Sequence, residues 1–117
     1  MSESTTIYHN PRCSKSRAAM ELLTDKGIDA NVVKYLDETP DKDTLISLLD
    51  LLGLEPRELM RKGESEYKEN NLADESLSRD ELIDAMLKFP KLIERPIVVK
   101  DGKAAIGRPI QNIIDIL

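Results

Sequence analysis

The alternation of apolar and polar residues along the chain predicts a mixed α/β architecture. Thr5-Thr6-Ile7-Tyr8 reads as a short first strand. His9-Asn10-Pro11-Arg12 breaks it, because Pro11 has no N–H for a ladder and biases Asn10 away from the helical region. From Ser14 to Lys26 the spacing becomes helical, with Ala18, Ala19, Leu22 and Leu23 on one face and Gly27 as the stop. Asn31-Val32-Val33-Lys34-Tyr35-Leu36 reads as a second strand, and strand, helix and strand within about 30 residues predict a parallel βαβ unit.

A helical section follows. Thr39-Pro40 has the form of an N-cap followed by a proline at the first helical position. Leu45, Leu48, Leu49 and Leu52 then fall at i, i+3, i+4 and i+7, and Gly53 ends the run. Ser78 and Glu81 form a capping-box pattern ahead of Leu82, Ile83, Met86 and Leu87. Between these helices, residues 62–76 are polar and poorly patterned, which predicts a loop with a helical turn. Near the end, Ile97-Val98-Val99 and Ala104-Ala105-Ile106 flank Lys100-Asp101-Gly102-Lys103, and Asp-Gly is a strong hairpin signal. A last helix follows Gly107-Arg108-Pro109, with Ile110, Ile113, Ile114 and Leu117 on one stripe. The order βαβ, helices, ββα is that of a thioredoxin-like α/β domain with a helical insertion between the second and third strands. It predicts one domain over residues 1–117, with the insertion at about residues 40–90.

Composition narrows the partners. The chain of 117 residues is 40% hydrophobic and 33% charged. No stretch approaches the roughly 18 consecutive apolar residues of a membrane span. Met1 to Thr6 offers neither a basic nor an apolar leader segment, so a cytoplasmic location is expected. A net charge of −5 argues against nucleic acid as the main partner. No large apolar stripe is left over for a partner, so a monomer is expected. The single cysteine excludes an internal disulfide, and any redox chemistry must borrow its second thiol from another molecule. One cysteine and one histidine also argue against a protein-only zinc site, and no tightly bound cofactor is expected.

The candidate chemistry centres on Cys13, which lies where the first strand gives way to a helix. Unpaired N–H groups at a helix start carry partial positive charge and favour a thiolate or a bound anion. Residues 9–17, His-Asn-Pro-Arg-Cys-Ser-Lys-Ser-Arg, add three cations and no acid within an acidic chain. An ordinary thiol has a pKa of about 8.5, which such surroundings lower by several units. The plainer reading of a lone cysteine is a small buried hydrophobe. His9 either holds the loop by a hydrogen bond or lies near the thiol and favours its ionised form, and the two roles are compatible. Arg95-Pro96 and Arg108-Pro109 each place an arginine before a proline at the edge of an element. They are either solvated turn residues or a pair of guanidiniums aimed at an oxyanion, a task suited to the planar, permanently charged fork of arginine. In a thioredoxin-like domain the proline that starts the third strand is commonly cis and faces the cysteine, which would bring Arg95 to Cys13. Arg61 is a third candidate.

These residues resemble a known family. His9-Asn10-Pro11-Arg12-Cys13-Ser14-Lys15-Ser16-Arg17 is similar to the nucleophile loop of the glutaredoxin-coupled arsenate reductases, of ArsC type. The likeness continues through Met60-Arg61-Lys62-Gly63-Glu64, Ile93-Glu94-Arg95-Pro96-Ile97 and Gly107-Arg108-Pro109, so it covers nearly the whole chain. The resemblance implies that Cys13 attacks arsenate to give a thiol–arsenate adduct. It further implies that Arg61, Arg95 and Arg108 hold the oxyanion and that His9 supports a low thiol pKa. Asn10, Ser16, Arg17 and Pro96 would support the loop. Glutathione as co-substrate would attack the adduct, glutaredoxin would resolve the mixed disulfide, and arsenite would leave, a chemistry of arsenical resistance. Ser14-Lys15 stands where plasmid-borne members have glycine and threonine, and the chain stops shortly after its last helix, as in a chromosomal branch. Two alternatives remain at this level: a glutathione-dependent thiol reductase with another substrate, and a regulatory binding protein of the same superfamily. The lack of a second cysteine near Cys13 removes a disulfide switch, and the full arginine set favours the enzyme.

Overall fold

The computed structural model describes residues 5–117, so the first four of the six residues in the reading of Met1 to Thr6 lie outside the described residues. The chain divides into two compact units, one running up to Glu38 and resuming at Arg95–Leu117, the other formed by Thr39–Glu94.

In the first unit, β1 (Thr5–Tyr8) leads to α1 (Ser14–Asp25) and β2 (Asn31–Val33). The unit is completed by β3 (Ile97–Lys100), β4 (Lys103–Ile106) and α6 (Gln111–Ile116). The strand order is β2-β1-β3-β4, with β1 parallel to β2 and antiparallel to β3, and β3 antiparallel to β4. This is the thioredoxin-like sheet that the element order predicts. Register explains the core: Ile7 pairs with Val98 and Val98 with Ala105, so one apolar row crosses the three strands. Ala19 and Leu23 of α1 and Ile113 of α6 close over that row, and all six residues are buried. Removing a leucine or isoleucine side chain from water is worth about 1.5–3 kcal/mol, so this row and its two helices hold the start of α1 firmly against the end of β1. The β3–β4 turn has φ +50° at Asp101 and +73° at Gly102, the left-handed pair that a two-residue hairpin requires.

The second unit contains α2 (Lys42–Leu52), α3 (Pro56–Leu59), α4 (Ser65–Glu69), α5 (Arg79–Lys88) and a 3₁₀ turn at Pro90–Leu92. Both α2 and α3 pack on α5. Leu45, Leu48 and Leu49 of α2 and Leu82, Ile83 and Met86 of α5 are buried. The expected box at the start of α5 is present: Ser78 Oγ accepts from Glu81 N–H at 3.1 Å, and Glu81 Oε1 accepts from Ser78 N–H at 3.1 Å. No helix is long and apolar enough to cross a membrane among the described residues.

Several local readings are corrected. The second strand ends at Val33 instead of Leu36, because the Lys34 carbonyl accepts from the Asp37 and Glu38 N–H groups and curls the chain into a turn. Asp41, not Thr39, caps α2, its carboxylate accepting from Thr44 N–H at 2.8 Å. On α1 the inward stripe is Ser16, Ala19 and Leu23, with Ala18 exposed. On α6, Ile113 is buried and Ile116 and Leu117 pack against the core, a stripe rotated away from Ile114. The short α3 and the 3₁₀ turn were not expected, although Glu55 and Glu58 form a capping box around Pro56.

Candidate active site

The Cys13 loop is built by its own hydrogen bonds. Cys13 is the N-cap of α1, in extended conformation with φ −95° and ψ 124°. Its N–H donates to the Asn10 carbonyl at 3.0 Å and its carbonyl accepts from Arg17 N–H at 3.0 Å, which starts the helix. Asn10 Oδ1 accepts from Arg12 N–H at 3.0 Å, an Asx-type turn, and Arg17 Nη1 donates to the Pro11 carbonyl at 3.0 Å. Ser16 is fully buried; its Oγ accepts from Asn10 N–H at 3.0 Å and is bonded to His9 Nδ1 at 2.6 Å. Asn10, Ser16 and Arg17 therefore occupy bracing positions around the cysteine.

Two arginines meet the sulfur. Arg108 Nη2 donates to Cys13 Sγ at 3.2 Å, although the residues are 95 positions apart. Its Nε donates to the Arg95 carbonyl at 2.9 Å, which fixes the direction of the guanidinium. The Arg95 side chain is hydrogen-bonded to Cys13 and to Tyr35. The Arg95–Pro96 and Arg108–Pro109 peptide bonds are both cis.

The electrostatics favour a thiolate. Burial pushes the Cys13 pKa up, but the Ser16 N–H, the Arg95 guanidinium and the Lys15 N–H together carry it below the ordinary thiol value. His9 moves the other way from a cation: burial first, then the positive charges of Lys34 and Arg17, hold its pKa below the usual histidine value. A neutral imidazole supplies no charge to the thiolate. Its hydrogen bond runs to Ser16, whose backbone N–H faces the sulfur, so His9 bears on the thiol through the loop.

Arg61 belongs to the second unit. Its N–H donates to the Leu92 carbonyl at 2.6 Å, beside the Met60–Ile93 bridge. Its Nε lies 3.6 Å from Glu64 Oε2 and its Nη1 4.0 Å from Glu94 Oε1. The side chain borders a hollow of ≈ 520 Å³ that also receives Arg57, Lys62 and the two glutamates. Every contact described for Arg61 is within its own unit.

The sequence profile of the ArsC family matches residues 8–116, a span that includes the cysteine loop and all three arginine motifs. The chain belongs to the ArsC family. Among relatives of this ArsC-family protein, the Escherichia coli K12 protein YfgD, whose name calls it uncharacterized, is 53% identical over 100% of this chain and 99% of its own. An arsenate reductase of Neisseria meningitidis serogroup A is 51% identical over 95% of this chain and 96% of its own. The solved structure of an arsenate reductase from Vibrio cholerae superposes with a TM-score of 0.96 at 50% identity, covering 100% of both chains.

The ArsC-family site contains a residue that sequence reading did not single out. Tyr35 has only 1% of its surface exposed and sits against Arg95, at the start of the turn that replaces the end of the expected second strand. In sequence it reads as a strand aromatic, and nothing there pairs it with residue 95. Gly107 also has a local reason. A Cβ built on it would lie 2.6 Å from Ile113 Cδ1 and 2.8 Å from Pro96 Cγ, too close for either side chain to stay in place. Only glycine lets the chain pass between these two side chains and deliver Arg108 to the sulfur.

Proposed function

We propose that the protein is an arsenate reductase that converts arsenate to arsenite through a Cys13 thiol–arsenate adduct. Glutathione is the co-substrate and glutaredoxin the protein partner, with the enzyme acting as a cytoplasmic monomer. The observation that carries this reading is the Arg108 guanidinium 3.2 Å from the Cys13 sulfur with Arg95 beside it. A thiolate flanked by two fixed guanidiniums is suited to a tetrahedral oxyanion, whose negative charge would otherwise repel the nucleophile. The family motif adds Arg61 as the third arginine. The names of the Neisseria and Vibrio relatives support the same substrate.

In this mechanism the Cys13 thiolate displaces one arsenate oxygen, which leaves as water after protonation, and forms an S–As(V) bond. Glutathione then attacks the Cys13 sulfur. The S–As bond breaks with its electron pair going to arsenic, arsenite departs, and a Cys13–glutathione disulfide remains. Glutaredoxin takes over the glutathionyl group and restores the thiolate. Two thiols are oxidised and arsenic gains two electrons. Only one thiol comes from this chain, as its single cysteine requires.

The test is arsenate-dependent NADPH oxidation with glutathione, glutaredoxin and glutathione reductase present. Turnover that needs arsenate, glutathione and glutaredoxin together is the expected result. No turnover from folded protein would overturn the arsenate assignment.

A further inference from the structure

A second hollow lies against the nucleophile loop, and its charged residues are not the arginines that meet the Cys13 sulfur. It measures ≈ 240 Å³ and is lined by Arg12, Lys34 and Asp37 with His9, Asn10 and Leu36. Its walls are fixed. His9 and Asn10 are buried, the His9 N–H donates to the Val33 carbonyl at 2.8 Å, and the turn carrying Lys34 and Asp37 is closed by bonds of 2.9 and 2.8 Å to the Lys34 carbonyl.

Its charged rim is uncommitted. Among the described residues, the side chains of Arg12, Lys34 and Asp37 have no hydrogen bond or ion pair, whereas Lys42, Arg61, Arg79 and Lys100 each lie within 4.0 Å of a carboxylate. Lys34 is also close enough to His9 for its charge to act on the imidazole. The hollow is lined by the loop that carries the reacting cysteine. Arg12 precedes Cys13 in the chain, at the roughly 3.8 Å spacing of neighbouring Cα atoms, and Asn10 accepts the Cys13 N–H at 3.0 Å.

Two cations and one carboxylate in one small hollow match a group that carries both signs. Ligand pockets usually measure roughly 300–1,000 Å³, so this one is sized for one end of a peptide. The reaction in turn requires a thiol from outside the chain. We propose that this hollow seats the zwitterionic amino-acid head of a γ-glutamyl thiol, the glutathione class of co-substrate. Arg12 and Lys34 take its carboxylate and Asp37 its ammonium group, which directs the thiol to Cys13. The assignment rests on the external-thiol step of the reading above.

Its test needs no arsenate. Reduced protein is mixed with glutathione disulfide or with the disulfide of cysteinylglycine, which lacks the γ-glutamyl head. In each case the Cys13 thiolate attacks one sulfur, one S–S bond breaks, a mixed disulfide with Cys13 forms, and one free thiolate leaves. Each rate is divided by that of free mercaptoethanol with the same disulfide, which removes differences between leaving groups. Wild type should prefer glutathione disulfide by about tenfold, the worth of one good charged contact. Lys34→Gln and Asp37→Asn should each bring that ratio most of the way to one. A ratio near one in wild type, or one unchanged in both variants, would overturn the proposal. A clear preference in a protein without arsenate turnover would uphold the hollow and sink the substrate. Arsenate turnover without the preference would do the reverse.

Discussion

Cys13→Ser should abolish arsenate turnover while leaving the protein folded. The cysteine side chain is only part-buried, and its N-cap position accepts a serine without a new clash, so the substitution removes the nucleophile and little else. A serine hydroxyl is not ionised near neutral pH, and the described residues place no charged base at this position: His9 is tied to Ser16 at 2.6 Å. The expected loss is at least about 10⁴-fold, on the scale seen when the nucleophile of a covalent mechanism is removed. The arginines remain, so arsenate should still bind, with an equilibrium affinity within a few-fold of wild type by calorimetry. Residual turnover above about 1% of wild type would mean that Cys13 is not the attacking group.

The second large effect concerns the guanidiniums. Arg108→Ala removes a donor held in place by the Arg95 carbonyl and aimed at the sulfur. Loss of one such preorganised donor typically costs about 10²–10³ in kcat, and that is the expected drop here. Arg108→Lys should recover only part of it, because an ammonium cannot bond the Arg95 carbonyl and the oxyanion in the same planar fork. Arg95→Ala should act through the thiol as well. In the folded protein the Cys13 pKa lies below its ordinary value against the opposing effect of burial, with the Ser16 N–H and Arg95 the leading causes. The rate of alkylation by iodoacetamide should therefore follow a titration curve that moves to higher pH in Arg95→Ala. The sign for stability follows the same linkage. The thiolate contacts contribute stability that is present above the unfolded thiol pKa and is lost as pH falls through the lower folded value. Removing Arg95 should narrow that window. An unchanged alkylation profile would show that Arg95 has no part in ionising Cys13.

Much of this arrangement is legible in the chain because local chemistry dictates it. Pro11 ends the first strand and leaves Cys13 at the start of a helix, Asp101-Gly102 supplies the two left-handed residues of the hairpin, and Ser78 with Glu81 caps α5. The arginine before each cis proline is visible as a repeated dipeptide with a charge to spend. The failures are those in which tertiary contacts override the local pattern. Val33 is the last ladder residue because the chain from Lys34 to Glu38 curls into a turn that buries Tyr35 beside Arg95, although Tyr35 is a good strand former. No spacing rule links position 35 to position 95. The role of His9 is legible only as a choice of two: a hydrogen bond that holds the loop, or support for the thiolate. Its bond to Ser16 is of the first kind, and burial with the charges of Lys34 and Arg17, which no spacing rule foretells, disfavours its cationic form.

The central claim is that Cys13 passes through arsenic to glutathione, and it is tested most directly by mass spectrometry of the protein held with arsenate and glutathione, without glutaredoxin. The account predicts that one glutathionyl group accumulates on Cys13, that it requires arsenate, and that phosphate in place of arsenate yields none. An unmodified cysteine after prolonged incubation of active protein, or glutathionylation at the same rate without arsenate, would contradict it.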